Sequence, residues 1–236
     1  MAVVIDIETA GESWDKIDVS TQKILRDRVT RLNADVSEEN AEELAISDLG
    51  VNPYTGEIIA LGMYDTDNEK GAVYFQAPNS KITDWEDGEI KYKKLSEKQI
   101  LEKFWELSEK YKKFVTFSGR SFDIPFILIR SAINEIKPNK DLMRNRYLSL
   151  QHANAQHIDL YDQLSFYGSI PRLGGLHLAC RAFGIETPKD GEIEGKEVGN
   201  AFKDGKYKEI AEYNARDIIA TAKLYKYWNT FLNFQG

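Results

Sequence analysis

The pattern of apolar and polar positions along the chain predicts alternating strands and helices. Short β-branched or aromatic runs without helical period predict five strands, at about residues 3–9, 57–64, 72–76, 114–117 and 157–160. Helical spacing of apolar positions predicts packed helices that begin near Ser96, Pro125, Leu173 and Lys206. This order of elements favours an α/β domain with a mixed sheet, in which the first strand lies near the middle.

Residues 11–52 do not follow this pattern. They are polar, rich in Asp and Glu, and periodic only around Ile24 to Leu32, which predicts a peripheral helix inside an insertion between the first two strands. Beyond it, strands 57–64 and 72–76 are close enough along the chain to form a hairpin. We expect residues 1–236 to form a single domain.

Composition narrows the class of protein. A hydrophobic fraction of 42% in 236 residues is enough for one substantial core, and no apolar run approaches the ~20 residues of a membrane span. Cys180 is the one cysteine, and the apolar opening reaches Asp6 before it could form a signal-peptide core, so we expect a cytoplasmic protein. The net charge of −7 excludes nucleic-acid binding by phosphate neutralisation alone, so nucleic acid would require metal ions.

The most informative carboxylates are Asp6 and Glu8. The chain contains five Asp-x-Glu pairs, namely Asp6/Glu8, Asp67/Glu69, Asp84/Glu86, Asp87/Glu89 and Asp190/Glu192. The first pair alone lies in an apolar strand, where residues i and i+2 face the same side about 6.6 Å apart. Burial of two anions without a cation costs several kcal/mol, so the pair predicts a divalent metal. The alternative is that this strand end is exposed to solvent.

Two further acids interrupt apolar elements. Asp123 lies where a turn of residues 118–121 enters an apolar helix, as a functional acid or as an ordinary N-cap. Asp217 follows Tyr213 in the one Tyr-x3-Asp of the chain, on a helical stripe that is otherwise apolar. Asp217 therefore needs a partner, which is either a metal or a salt bridge to Arg120 or Arg172.

The order of these motifs resembles the DEDD-type 3′-5′ exonucleases in their Tyr-bearing branch, and specifically the predicted exonucleases related to the proofreading domain of family-B DNA polymerases. The motifs that carry the likeness are VVIDIET, FVTFSGRSFDIPFIL, HIDLYDQLSFYG, RLGGLHLACRAFGI and EIAEYNARDIIAT. The resemblance implies that Asp6, Glu8, Asp123 and Asp217 are the metal-binding acids and that Tyr213 lies beside the attacking water. It further implies a ribonuclease-H-like fold with a central mixed five-stranded sheet flanked by helices.

The chemistry implied is hydrolysis of terminal phosphodiester bonds by a two-metal mechanism. Carboxylate oxygens select two Mg²⁺ or Mn²⁺ ions over zinc. The expected substrate is the 3′ end of single-stranded DNA, with Thr9, Ser118 and Phe122 as candidate contacts. Family-B proofreading domains carry an Asn four or five residues before the second-motif Asp, where this chain has Gly119 and Ser118. An exoribonuclease and a catalytically unused binding or polymerase-associated module remain as alternatives.

Other residues compete for these roles. His157 and Asp162 match the His-x4-Asp of the sister branch, but they start in a predicted strand, whereas the catalytic pair requires one helix face. Cys180 has core spacing and is expected to pack rather than react. A basic stretch is a candidate nucleic-acid contact or a solvated loop, through Lys137, Lys140, Arg144 and Arg146.

Overall fold

Seven strands form one mixed sheet in the computed structural model, which describes residues 1–32, 36–171, 173–186 and 195–234. The strands are β1 (Ala2–Gly11), β2 (Gly56–Asp65), β3 (Lys70–Phe75), β4 (Trp85–Asp87), β5 (Ile90–Lys94), β6 (Lys113–Thr116) and β7 (Gln156–Asp159). The helices are α1 (Val19–Leu32), α2 (Glu38–Asp48), α3 (Glu97–Ser108), α4 (Asp123–Ile133), α5 (Leu160–Leu164), α6 (Leu176–Ala182), α7 (Val198–Lys203) and α8 (Tyr207–Phe231). The α/β class predicted from the sequence is confirmed.

The strand order is β4-β5-β3-β2-β1-β6-β7. β1 is antiparallel to β2 and parallel to β6, while β2 and β3 form the predicted antiparallel hairpin. β6 and β7 continue in parallel at one edge, and β5 runs parallel to β3 toward the other edge. The prediction that β1 lies near the middle of the sheet is confirmed.

The predicted number of strands is wrong, because five were expected and the described residues form seven. The two additional strands, β4 and β5, pair antiparallel across a turn at Gly88, which has a φ of 56°. In β5, Ile90 and Tyr92 are buried, while Lys91 and Lys93, which alternate with them, are exposed. This alternation is typical of a strand with one buried face, but the many charges made the segment resemble a polar loop.

Each face of the sheet is covered by its own helices. β1 contributes Val3, Ile5 and Ile7 to a core that includes residues of α3 and α4. The opposite side of β1 contributes Val4 to a second core, formed with α6, α7 and α8. Side chains alternate along a strand, so Asp6 and Glu8 face the same side as Val4, toward α8. Cys180 is fully buried in this second core, as its spacing predicts.

The predicted helices α3 and α8 have the expected local structure. Ser96 and Gln99 form the capping box at the start of α3. Along α8, the stripe predicted to face the core is buried at Ile210, Asp217, Thr221, Leu224 and Trp228. Between α4 and β7, a single 3₁₀ turn lies at Leu148–Leu150.

The segment between β1 and β2 contains two helices where one was predicted. α1 and α2 pack on each other through Val29, Ala41 and Ala45. A 3₁₀ turn at Leu49–Val51 then leads back to the sheet. None of the helices in the described ranges is both long and apolar enough to cross a membrane.

Candidate active site

Three of the predicted acids converge where β1 meets α8. Asp6, Glu8 and Asp217 each place one carboxylate oxygen within 4.8 Å of the others. Asp6 lies opposite Gly62 of β2 and Glu8 opposite Ala60, and a bulge follows between Glu8 and Thr9. A bulge shifts the register of a strand, and here the pairing resumes with Thr9 opposite Ile58.

Asp123 lies beside this group but outside it. β1 pairs with β6 only from Ala2 to Val4, so the amide of Ile7 has no partner in β6. Asp123 occupies that gap, and its Oδ1 accepts a hydrogen bond from the Ile7 amide at 3.0 Å. It is the first residue of α4 rather than the N-cap, which is Phe122. The N-cap interpretation of Asp123 is therefore wrong.

Each of the four carboxyl groups has a raised pKa. Burial is the main cause for each, although Asp6 keeps a partly exposed face; nearby carboxylates raise the pKa of Asp6 and Glu8 further, to well above their ordinary values. The pKa of Asp123 and that of Asp217 are each raised to about 7, again mainly by burial.

No basic side chain in the described ranges forms an ion pair with these acids. The guanidinium of Arg120, proposed from the sequence as a partner of Asp217, instead donates to the backbone oxygens of Met143 and Asn145. Arg172, the other proposed partner, lies outside the described residues. Arg216 lowers the pKa of Asp217, but burial outweighs it. Among the described residues, these buried acids thus have no ion-paired cation to compensate the charge of their ionised form.

Tyr213 lies one helical turn before Asp217, as the i, i+4 spacing predicts. A hydrogen bond from its side chain lowers the pKa of Asp217, against the effect of burial. The pKa of Tyr213 itself is raised by burial and by the carboxylates of Asp217, Glu8 and Asp6. The hydroxyl therefore keeps its proton at neutral pH and is a hydrogen-bond donor rather than a base.

Asn214 belongs to the site although no sequence motif pointed to it. Its amide nitrogen donates to Oδ2 of Asp6 at 2.7 Å and to the backbone oxygen of Asp6 at 3.2 Å. The side chain fits because residue 62 is glycine, since a Cβ there would lie 2.4 Å from Oδ1 of Asn214. A glycine inside an apolar strand often marks such a close approach and was the available indication.

Asp159 at the end of β7 was also missed. Its carboxylate accepts hydrogen bonds from the amides of Ser118 and Arg120, each at 2.9 Å, and from that of Tyr161 at 3.0 Å. Ser118 has a φ of 62°, which costs energy for a residue with a side chain. Asp159 therefore holds the turn that leads into Asp123. Ser118 contributes its backbone to this turn and does not line the cleft described next.

A cleft of about 720 Å³ opens beside Glu8. Thr9 and Phe122, two of the predicted substrate contacts, line it. None of the four cations of the basic stretch does. Arg146 pairs with Asp162, and Lys140 donates to the backbone oxygen of Asn154 at 3.0 Å. The guanidinium of Arg144 contacts Nε2 of His152, so three of the four have protein partners.

The competing pair His157 and Asp162 lies on two different elements, as the sequence predicts. His157 is buried in β7, and its Nε2 lies 2.8 Å from Oγ1 of Thr116. Burial lowers its pKa to about 3, so it is neutral at physiological pH. Asp162 in α5 accepts from Nε of Arg146 at 2.9 Å. These contacts are structural and leave the group around Asp217 as the candidate active site.

Comparison with known proteins agrees with this fold. The chain is similar to the family B DNA polymerase from the hyperthermophilic archaeon Pyrobaculum calidifontis, with a TM-score of 0.59 and 14% identity over 98% of this chain and 25% of that one. The chain thus spans a quarter of that polymerase, and the likeness supports the ribonuclease-H-like fold expected from the sequence. No curated protein matches the sequence.

A family model extends the agreement to the level of sequence. Residues 76–234, more than half of the chain, match the family described as a predicted 3′-5′ exonuclease related to the exonuclease domain of PolB. The matched range contains Asp123, Tyr213 and Asp217, while Asp6 and Glu8 precede it. The chain therefore belongs to this family of predicted 3′-5′ exonucleases.

Proposed function

We propose that the chain removes nucleotides from the 3′ end of single-stranded DNA with the help of two divalent ions, Mg²⁺ or Mn²⁺. The observation that carries this proposal is the convergence of Asp6, Glu8 and Asp217 within 4.8 Å, without an ion-paired cation among the described residues. Membership in a family of predicted exonucleases supports it. The domain boundaries 1–236 and the cytoplasmic setting belong to the same proposal.

The donor set fits a hard divalent cation. All the ligands are carboxylate oxygens, which suit Mg²⁺ and Mn²⁺, and there is no thiolate or imidazole of the kind that zinc favours. Oδ1 of Asp217 is buried without a hydrogen-bond partner, which costs energy unless something binds it. Asp123 flanks the three converging acids and raises the pKa of Asp6 and Glu8, which supports a place for a second ion.

The protein's own residues orient the reaction. Divalent ions held by Asp6, Glu8 and Asp217 would supply Lewis acidity for the deprotonation of water and for the charge on the leaving oxygen. Tyr213, which keeps its proton and lies beside Asp217, would orient the attacking water through its hydroxyl group. Asn214 holds the carboxylate of Asp6, and the amide of Ile7 holds that of Asp123. These contacts preorganise the acids before substrate arrives.

An unpaired end is the substrate that the site best accommodates. The acids lie inside the fold, between β1 and α8, so a terminal phosphodiester must reach them without its complementary strand. Separation of a duplex end adds a few kcal/mol to the barrier. The net charge of −7 also disfavours binding of a long duplex backbone.

The test is incubation of 5′-labelled DNA and RNA strands with Mg²⁺, Mn²⁺ or a chelator. We expect a descending ladder from DNA that requires metal, and no cleavage by Asp217→Asn. Asp204→Asn, at an exposed position on the loop before α8, is the matched control and should cleave normally. Cleavage of a circular single strand at the rate of the linear one would overturn the exonuclease assignment, and faster degradation of RNA would overturn the DNA assignment.

A further inference from the structure

The segment between β1 and β2 lies in a fixed position beside the site. A Cβ on Gly11 at the end of β1 would lie 2.5 Å from the Cβ of Leu49, and one on Gly50 would lie 3.2 Å from the backbone nitrogen of Gly11. Leu49 is buried, and its backbone oxygen accepts from Oγ1 of Thr55 at 3.0 Å. The 3₁₀ turn at Leu49–Val51 is thus in direct backbone contact with the strand that carries Glu8.

This contact makes the segment part of the cleft beside Glu8. α2 contributes Ile46 to the lining, and the 3₁₀ turn contributes Val51. Phe122, at the start of α4, lines the same cleft and is partly exposed. Neither Ile46 nor Val51 belongs to the core between α1 and α2, and Val51 is 58% exposed. Their side chains are therefore available to a ligand rather than needed for packing.

The charges around the cleft indicate which part of a nucleotide enters it. Among the described residues, the lining contains the carboxylates of Glu8, Glu12 and Glu43 and a single cation, Lys203. A second phosphate, away from the metal ligands, would be repelled there. A nucleobase is planar, uncharged at neutral pH and largely apolar on its faces, and it stacks on aromatic side chains. The volume of about 720 Å³ is within the range of pockets that enclose most of a small ligand.

We infer that the segment between β1 and β2 builds a base-binding wall, in which Ile46 and Val51, together with Phe122, hold the base of the terminal nucleotide. The inference rests on the proposed function, since the terminal phosphodiester must lie at Asp6, Glu8 and Asp217. It adds a role for residues that precede the range matched by the family model. The wall makes the enzyme sensitive to the base of the nucleotide that it removes.

The test compares two 5′-labelled single strands, one ending in deoxyadenosine and one in an abasic tetrahydrofuran nucleotide. We expect kcat/KM of the wild type to favour the base-bearing end about 10- to 100-fold, the size of one stacked base. Ile46→Ala/Val51→Ala should lower that preference about 5- to 30-fold and leave the abasic rate unchanged. The matched control is Val19→Ala/Ile24→Ala, which removes two exposed aliphatic side chains of α1 outside the cleft.

A second measurement does not depend on cleavage. Fluorescence anisotropy of the same strands in Ca²⁺ should show the same loss of preference in Ile46→Ala/Val51→Ala, with circular dichroism to verify folding. Cleavage by the wild type with equal rates on both ends would overturn the wall and leave the exonuclease intact. The base-binding wall would also be overturned if Ile46→Ala/Val51→Ala and Val19→Ala/Ile24→Ala showed the same preference for the base-bearing end. Binding with a base preference but no metal-dependent cleavage would overturn the proposed function alone.

Discussion

Asn214 ties the helix that carries Tyr213 and Asp217 to the strand that carries Asp6. Its amide donates to Oδ2 of Asp6 at 2.7 Å and to the backbone oxygen of Asp6 at 3.2 Å, across 208 residues of chain. Asn214 is fully buried, and its Oδ1 has no hydrogen-bond partner. A buried amide with an unsatisfied oxygen lowers the stability of the fold. A site retains such a group when the position of its partner, here Asp6, matters more than stability.

Asn214→Ala should therefore weaken metal binding and slow cleavage while the protein stays folded. One oriented hydrogen bond to a ligand contributes about 10- to 100-fold to metal affinity or activity. The measurement is a titration with Mn²⁺ followed by electron paramagnetic resonance, together with cleavage rates at saturating metal. Asn229→Ala, at an exposed position of the same helix, is the control. Unchanged Mn²⁺ affinity in Asn214→Ala would show that the amide does not orient Asp6.

Gly62→Ala should destabilise the protein, because its Cβ would lie 2.4 Å from Oδ1 of Asn214 and 2.8 Å from Cγ2 of Ile218. Overpacking of this kind costs about 1–3 kcal/mol or more. Gly199→Ala in α7 has nothing within 4 Å of the new Cβ and should be neutral or stabilising. Urea unfolding in chelator measures both variants. Equal stability of Gly62→Ala and wild type would contradict the close packing of α8 on β2.

Asp217 should make the metal-free protein less stable as the pH rises. Its pKa is about 7 in the folded state against an ordinary value of 3.8, so between these values the folded state binds more protons than the unfolded state. The free energy of unfolding then falls with increasing pH, by up to ~1.4 kcal/mol per unit for one group. Metal at pH 8 should restore stability.

The measurement for this prediction is the difference between wild type and Asp217→Asn, both in chelator, from pH 4 to pH 8. The free energy of unfolding of the variant, relative to that of the wild type, should rise from pH 4 to pH 7 and stay constant above pH 7. The difference cancels the opposite effect of His157, whose lowered pKa of about 3 makes the fold lose stability as the pH falls below 6.5. A constant difference at every pH would show that the pKa of Asp217 is ordinary.

Tyr213→Phe should keep the fold and metal binding and lose about 10- to 1000-fold in rate, the range of one positioned hydrogen-bonding group. His157→Gln should change the rate far less, since His157 bonds to Thr116 and does not line the cleft. Single-turnover cleavage at saturating metal separates chemistry from binding. If His157→Gln were the slower variant, the result would favour His157 and Asp162 as the catalytic pair.

The sequence was sufficient to predict those structural features that depend only on residues a few positions apart. The capping box of Ser96 and Gln99 is written in a four-residue stretch, and the i, i+4 spacing of Tyr213 and Asp217 places both on one side of a helix. The same holds for Asp6 and Glu8, because a strand has period two. These rules also place Cys180 in the core and separate His157 from Asp162.

Contacts between distant segments could not be obtained in this way. Asp123 reaches the amide of Ile7 only because β6 stops pairing with β1 at Val4, and no pattern around Asp123 encodes where that pairing ends. Asp159 is an unremarkable residue until β7 lies beside the turn at Ser118. The strands β4 and β5 were missed for a related reason, since charged residues are as common in surface loops as in strands near the edge of a sheet.

The sequence by itself determined the type of most elements, the acids that face a common side and the need of those acids for a cation. Only the tertiary structure decided that Asn214 holds Asp6 across from Gly62, that Asp159 holds the turn before Asp123, and that Ile46 and Val51 line the cleft. The physical reason is that period and propensity act over a few neighbouring residues. Strand register and helix packing instead arise from all the segments that share one core.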